Sequence, residues 1–321
     1  MLRRTIDLGG PVHVVDFGGH GVPIVLIHGL DGGHVHWRSV GPALAAHGQV
    51  VAPDLLGFGR TPPAGRSASI LASHELIARF LDTLGAPAVL VGHSMGGLIA
   101  MREAARRPGR VAGLVLVSPA LRWPWSAFLD PRATLVACTL AAFGSLGLGE
   151  LLLHARARLL SPETITRQML AVCCVDPSRI PDDVVAEHVA MVAEHQGSAW
   201  GVSSTLAAAR SSMALIAYPW LVHELILEIR APTLIMHGTD DRLVPVSCFH
   251  RTVALRRDWA AREFSGVGHI PQLERPECFV DTVVDWLDRM GLRHAATDPV
   301  REPPCERIPS AHRGVFRDEP L

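Results

Sequence analysis

At 321 residues and 48% hydrophobic content, the chain is long enough to bury a full core without disulfide or metal staples. Its net charge of −1 at pH 7 supplies no field to draw in nucleic acid or an acidic membrane surface, which excludes a nucleic-acid binder on composition. The basic residues are all arginine, which reads as coding bias, since arginine and lysine carry the same charge.

The N-terminus, Met1 to Asp7, reaches an acid and then two glycines before any long apolar run, so no signal peptide is expected. Pro23 to Ile27, Gln49 to Pro53, Ala88 to Val91 and Val111 to Val117 are short, continuous apolar runs, each closed by a turn signal. Such runs predict parallel strands buried on both faces. The segment Ser73 to Leu81 places Leu76, Ile77, Phe80 and Leu81 on one helical face between two of them. From about Pro119 to Arg230 the strand texture gives way to helical spacing, as in Pro181 to His195, where Val184, Val185, His188, Val189 and Val192 recur. Ala133 to Leu153 carries only Glu150 as a charge, but Gly144, Gly147 and Gly149 weaken it as a single helix. It is expected to be a buried or pocket-lining helix with some surface contact to lipid, in preference to a bilayer span. Strand character returns at Ala231 to Met236. The segment from about His294 to Leu321, rich in Pro, Arg, Glu and Asp, has too few large apolar residues to order itself. The organisation predicted is a core of residues 1–120 and 230–292, a helical cap over 121–229 and a disordered tail over 293–321.

Four loops at the ends of predicted strands carry chemistry. Gly92-His93-Ser94-Met95-Gly96, between a strand and a helix-like run, has the glycine spacing of a nucleophile elbow, which exposes a serine hydroxyl on a sharp turn. His28-Gly29-Leu30-Asp31-Gly32-Gly33 can carry a backbone N–H close to that serine, so the N–H groups of Leu30 and Met95 are candidates for an oxyanion hole. His237 to Pro245 supplies two carboxylates, of which Asp241 is preferred to Asp240 as the partner of a catalytic imidazole. His269, between Gly268 and Ile270, comes last in the chain order Ser, Asp, His and is the candidate base. His28 and His93 are expected to be hydrogen-bonded scaffold. The six cysteines (Cys138, Cys173, Cys174, Cys248, Cys278 and Cys305) form no CxxC pair and are expected to be reduced thiols in a cytoplasmic protein.

The residues Ile27-His28-Gly29, Asp54 to Arg60, Gly92 to Gly97, Gly238 to Pro245 and Gly268-His269 together resemble the α/β-hydrolase superfamily over roughly residues 10–290. The resemblance implies a mostly parallel eight-stranded sheet with helices on both faces, a cap inserted after the sixth strand, and a Ser94, Asp241, His269 triad. Epoxide hydrolases and haloalkane dehalogenases place aspartate where Ser94 stands, so their mechanism is set aside. Esterases and monoacylglycerol-type lipases share Gly-His-Ser-Met-Gly-Gly. Carbon–carbon-bond hydrolases of ring-cleavage pathways share Ser-Met-Gly-Gly but typically carry tryptophan after the catalytic histidine, where Ile270 stands here. Cofactor-free haloperoxidases are near neighbours too.

The activity expected is therefore hydrolysis of a carboxylic ester of a hydrophobic small molecule or lipid through an acyl-enzyme, with no cofactor and no metal. Carbon–carbon-bond hydrolysis and haloperoxidase-like chemistry are the enzymatic alternatives, and a non-catalytic ligand-binding protein is the alternative of another class. The apolar side chains of the cap (Leu135, Val136, Leu140, Phe143, Leu146, Leu148 and Leu151 to Leu153, then Met213, Leu215 and Ile216) suggest a hydrophobic acyl or alcohol group and peripheral contact with a membrane.

Overall fold

A computed structural model describes residues 1–129 and 131–292. The expected tail and Cys305 lie outside these residues. Eight strands form one sheet in the order β1-β2-β4-β3-β5-β6-β7-β8. β1 (Leu2–Asp7) and β2 (Pro11–Gly18) form an antiparallel edge, and β2 also runs antiparallel to β4 (Gln49–Pro53). From β4 onward the sheet is parallel through β3 (Pro23–Ile27), β5 (Ala88–His93), β6 (Val111–Val117), β7 (Thr233–Gly238) and β8 (Ala260–Phe264).

The central strands are apolar throughout because both faces are covered. In β3, Val25 and Ile27 join one core cluster while Ile24 and Leu26 join the other. In β6, Leu114 and Leu116 face the first cluster and Val115 and Val117 the second. A short helix α1 (Gly41–Leu44) precedes β4. On the first face, α2 (Ile70–Leu84) buries Leu76, Ile77, Phe80 and Leu81, and Ser69 caps it by accepting the Ala72 N–H. α3 (Met95–Arg106) follows β5 and packs beside it.

Between β6 and β7 the described residues form six α-helices, α4 (Pro131–Gly144), α5 (Leu148–Leu159), α6 (Pro162–Cys173), α7 (Asp182–Gln196), α8 (Gly201–Ala217) and α9 (Pro219–Glu228), with short 3-10 helices at Trp125–Leu129 and Pro177–Arg179. α10 (Val246–Leu255), α11 (Pro271–Glu274) and α12 (Pro276–Arg289) are the last helices among the described residues. α12 buries Phe279, Val283, Val284, Trp286 and Leu287 against the second face, where Trp37 also sits.

The apolar stretch 133–153 departs from its expected form. It breaks at Ser145–Gly147 into α4 and α5, bent by 95° from Thr134–Gly144 to Leu148–Leu159. Gly147 adopts φ 78°, a left-handed conformation that ends the α-helical path. No described residue of α4 is fully buried, and in α5 only Gly149 is. Leu135, Leu146, Leu148 and Leu151 are exposed, so they do not line a closed pocket as their spacing suggested. Among the described residues no single helix is long and apolar enough to cross a membrane.

Candidate active site

The turn from β5 into α3 forces Ser94 to φ 52° and ψ −116°, which a residue with a Cβ rarely adopts. The surrounding glycines explain how the turn closes. A Cβ at Gly92 would stand 2.5 Å from the Gly96 carbonyl oxygen, and one at Gly96 would stand 2.2 Å from that of Ile27. The elbow is therefore wedged against the end of β3. Backbone bonds fix it further: the Ser94 N–H donates to Val117 O, and Ser94 O accepts the N–H groups of Gly97 and Ala120.

The loop after β3 lies directly over the elbow. A Cβ at Gly29 would approach the Ser94 Cβ to 3.1 Å and the His93 Nδ1 to 3.0 Å, so a larger residue there would press on both side chains. Leu30, half-buried, is the next residue, and Met95 opens α3, where helical N–H groups have no intrahelical partner. The loop is anchored from below and above. His28 donates its Nδ1–H to Gly29 O and accepts the Leu55 N–H on Nε2, and burial lowers its pKa, so it stays neutral. Asp31, at φ 52°, accepts the Thr205 hydroxyl of α8 at 2.5 Å.

On the far side, His269 donates its Nδ1–H to Asp241 Oδ2 at 2.7 Å, leaving Nε2 as the basic nitrogen. Asp241 Oδ1 accepts the N–H groups of Leu243 and Val244, both at 2.8 Å. Burial would push the Asp241 carboxyl upward, but the imidazoles of His269 and His237 outweigh it and hold the group below the ordinary range. His237 Nε2 lies 3.2 Å from Asp241 Oδ2 and donates to Val244 O. Asp240, the competing carboxylate, is exposed and takes the Thr239 hydroxyl instead.

Three further residues hold the histidine loop: His93, expected as hydrogen-bonded scaffold, and Glu274 and Cys173, which the sequence did not single out for it. His93 donates its Nε2–H to the His269 carbonyl at 3.0 Å, and their rings lie 4.9 Å apart, so the residue before the serine directly props the base. Burial lowers the His93 pKa to about 3, with the nearby His269 adding to the effect. Glu274, fully buried at the end of α11, accepts the Gly268 N–H on one oxygen and the N–H groups of Val175 and Asp176 on the other. It ties the base's loop to the segment after α6. Cys173 O accepts the His269 N–H, and a Cβ at Gly268 would stand 2.3 Å from that oxygen. The signal available for Glu274 was an acid five residues after His269, directly after Ile270-Pro271-Gln272-Leu273.

A second group of histidines sits under the insert. His36 stacks on His188 of α7 with ring centroids 5.3 Å apart and planes 25° apart, and burial drives both pKa values down, that of His188 to about 4. His13, His34 and Asp54 have donor atoms within 4.8 Å of one another, the spacing of a metal site. Their hydrogen bonding fits a different role. Asp54 accepts His13 Nδ1, His34 Nδ1, the His34 N–H and the Arg60 N–H, which fill its lone-pair sites without an ion. The cluster pins β2 to the loops around it. Cys138, Cys173, Cys174 and Cys248 form no disulfide among the described residues; Cys173, Cys174 and Cys248 are buried, and burial raises their pKa values, those of Cys174 and Cys248 to about 12.

The structure thus joins Asp241 to His269, His269 to the neighbour of Ser94, and the Leu30 loop to Ser94 itself. Comparison with known proteins agrees with this architecture. Residues 24–282 match the α/β hydrolase family. The chain is 29% identical over 296 residues to a 2-hydroxy-6-oxo-2,4-heptadienoate hydrolase of Pseudomonas putida, covering 89% of this chain and 96% of that one. It is 31% identical over 285 residues to a 2-hydroxy-6-oxononadienedioate/2-hydroxy-6-oxononatrienedioate hydrolase of Paraburkholderia xenovorans, covering 86% and 90%. Among solved structures, a meta-cleavage product hydrolase from Pseudomonas fluorescens superposes with a TM-score of 0.69 at 24% identity, covering 89% of this chain and 97% of that one. An elbow serine at the end of β5, a loop over it from β3 and a histidine and carboxylate from the two last parallel strands leave one conclusion: the chain belongs to the α/β-hydrolase family.

Proposed function

We propose that Ser94, His269 and Asp241 form a catalytic triad that cleaves a carbon–carbon bond beside a ketone carbonyl. The observation that carries the triad is the 2.7 Å contact of His269 Nδ1 with Asp241 in a loop propped against the residue before Ser94. The bond type is supported by the named relatives. A 6-oxo-dienoate contains no ester or amide, so a hydrolase acting on one must break a carbon–carbon bond next to its ketone.

His269 Nε2 takes the Ser94 proton as Oγ adds to the ketone carbon. The resulting oxyanion rests on the N–H groups of Leu30 and Met95, the latter at the positive end of α3. In the 2-oxo tautomer, in which the 2-hydroxyl proton has been lost and C5 protonated, collapse breaks the bond between C5 and the former ketone carbon; the pair left on C5 is delocalised into the 2-oxo-3-enoate, which accepts the proton from the His269 imidazolium. Water, deprotonated by His269, then attacks the acyl-serine and releases the acid with the serine restored. The insert 121–229 acts in this reading as the cap over the site.

A second reading, hydrolysis of an ester of an apolar acid or alcohol, is favoured by a specific feature. No arginine is buried among the described residues. A dienoate carboxylate would have to be bound without a buried guanidinium, whereas an uncharged ester needs none.

Turnover of a synthetic 2-hydroxy-6-oxo-dienoate, compared with p-nitrophenyl esters of rising chain length, separates the two. Loss of dienoate absorbance that vanishes in Ser94→Ala supports carbon–carbon cleavage. Turnover of esters alone overturns it in favour of the second reading.

A further inference from the structure

Helices α4 and α5 present a combination that the fold itself does not explain. After Arg132, α4 contains no charged residue, yet no described residue of it is fully buried. A helix apolar on every side belongs inside a protein or inside a bilayer, and this one is not inside the protein. The short helix Trp125–Leu129 packs against it, with Trp125 74% and Leu129 84% exposed and the Trp125 ring 5.9 Å from that of Phe128. Across the bend stand Leu146, at 85%, and the exposed Leu148, Leu151 and Leu159.

The charges around this face are one-sided. Glu150 is the one acid among the described residues of 121–160, and its carboxylate is neutralised by Arg210 at 2.8 Å. Arg122, Arg156 and Arg158 make no ion pair among the described residues, and Arg122 and Arg158 are exposed. A second copy of the chain docking here would bring arginine against arginine. An anionic lipid surface offers the complement, with aliphatic side chains entering the acyl region and tryptophan suiting the interface. Each helix is shorter than the roughly 20 residues a span needs, and the 95° bend turns the pair back, so it would lie in one leaflet.

We infer that Trp125–Leu129, α4 and α5 form a surface that docks on bilayers containing anionic phospholipid. The surface adjoins the site through α8, which packs against α4 and α5 and carries the Thr205 that holds Asp31 beside Leu30.

The test is flotation of the full chain with vesicles of phosphatidylcholine alone and of phosphatidylcholine with phosphatidylglycerol. The wild type is expected to float with the mixed vesicles and more weakly with the neutral ones. Leu146→Asp and Leu151→Asp, at exposed positions that leave the core intact, should each weaken binding about tenfold. Arg156→Glu with Arg158→Glu should abolish the preference for anionic lipid. Ser94→Ala should float like the wild type, which separates this surface from the catalytic reading. Wild-type protein that stays with the dense fraction in both mixtures overturns the inference. So does a dimer in sedimentation velocity that Leu146→Asp dissociates, since a second copy would then own the face.

Discussion

His269 and Asp241 meet through a 2.7 Å hydrogen bond from Nδ1 to Oδ2, while Asp240, adjacent in the chain, faces outward and bonds to Thr239. One peptide unit thus separates a carboxylate that can orient an imidazole from one that cannot. Asp241→Asn should lower kcat by about 10³ to 10⁴ by removing the partner that fixes the tautomer of His269. Asp240→Asn should stay within about twofold of wild type. Steady-state kinetics on the better substrate class reads both.

Glu274 holds the base's loop without touching substrate, through three backbone N–H groups at 2.8 to 3.0 Å. Glu274→Gln replaces one acceptor oxygen with an NH₂ group facing buried donors. The unsatisfied contacts should cost on the order of 2 kcal/mol of stability. Because the loop carries His269, kcat should fall more than KM rises, and denaturant titration with kinetics on one preparation checks both. Unchanged stability would show that Glu274 does not hold the loop.

Gly96 faces the Ile27 and His28 carbonyl oxygens so closely that a Cβ would stand 2.2 and 2.5 Å from them. Backbone cannot move aside as a flexible side chain can, so Gly96→Ala must push β3 and the Leu30 loop away from Ser94. The loss should be about 2 kcal/mol or more by thermal unfolding, with activity reduced in the protein that remains folded. Gly109→Ala, where a Cβ meets open space, is the control.

Acid should destabilise the fold earlier than carboxylate titration alone would. Burial depresses His93 to about 3 and His188 to about 4, from 6.5 in the unfolded chain. The unfolded state therefore binds more protons below pH 6.5, and unfolding free energy rises with pH through that window. The neutral histidines' contribution is fully present above pH 6.5 and is lost progressively down to pH 3 to 4. Each costs about 2 kcal/mol between pH 6.5 and pH 5. Denaturant titrations at pH 7 and pH 5 measure this. His188→Gln should flatten the slope by about one proton.

Much of this architecture was legible in sequence because burial on both faces writes it there. β3, β5, β6 and β7 are buried along nearly their whole length and mostly apolar, and β3, β5 and β7 each end at a glycine-bearing loop that carries a candidate site residue. β1, Leu-Arg-Arg-Thr-Ile-Asp, pairs only with β2 at the sheet edge and is mostly exposed, so its sequence carries no such mark. β8 likewise holds only Phe264 fully buried. The positions of Ser94, Asp241 and His269 followed from strand ends and chain order. His93 was expected as hydrogen-bonded scaffold and is one, but its partner was not legible, and Glu274 was not legible at all, because their partners are backbone groups from distant loops. The insert was visible as helix but its exposure was not, since apolar residues at helical spacing look the same whether they face a core or nothing.

The central claim is that His269 makes the Ser94 hydroxyl nucleophilic. Incubation of the folded protein with a fluorophosphonate, followed by peptide mass mapping, tests it most directly. One adduct on Ser94 is expected, absent in Ser94→Ala and slowed at least about a hundredfold in His269→Ala. Folded wild-type protein that takes up no label, or labels at equal rate without His269, would contradict it.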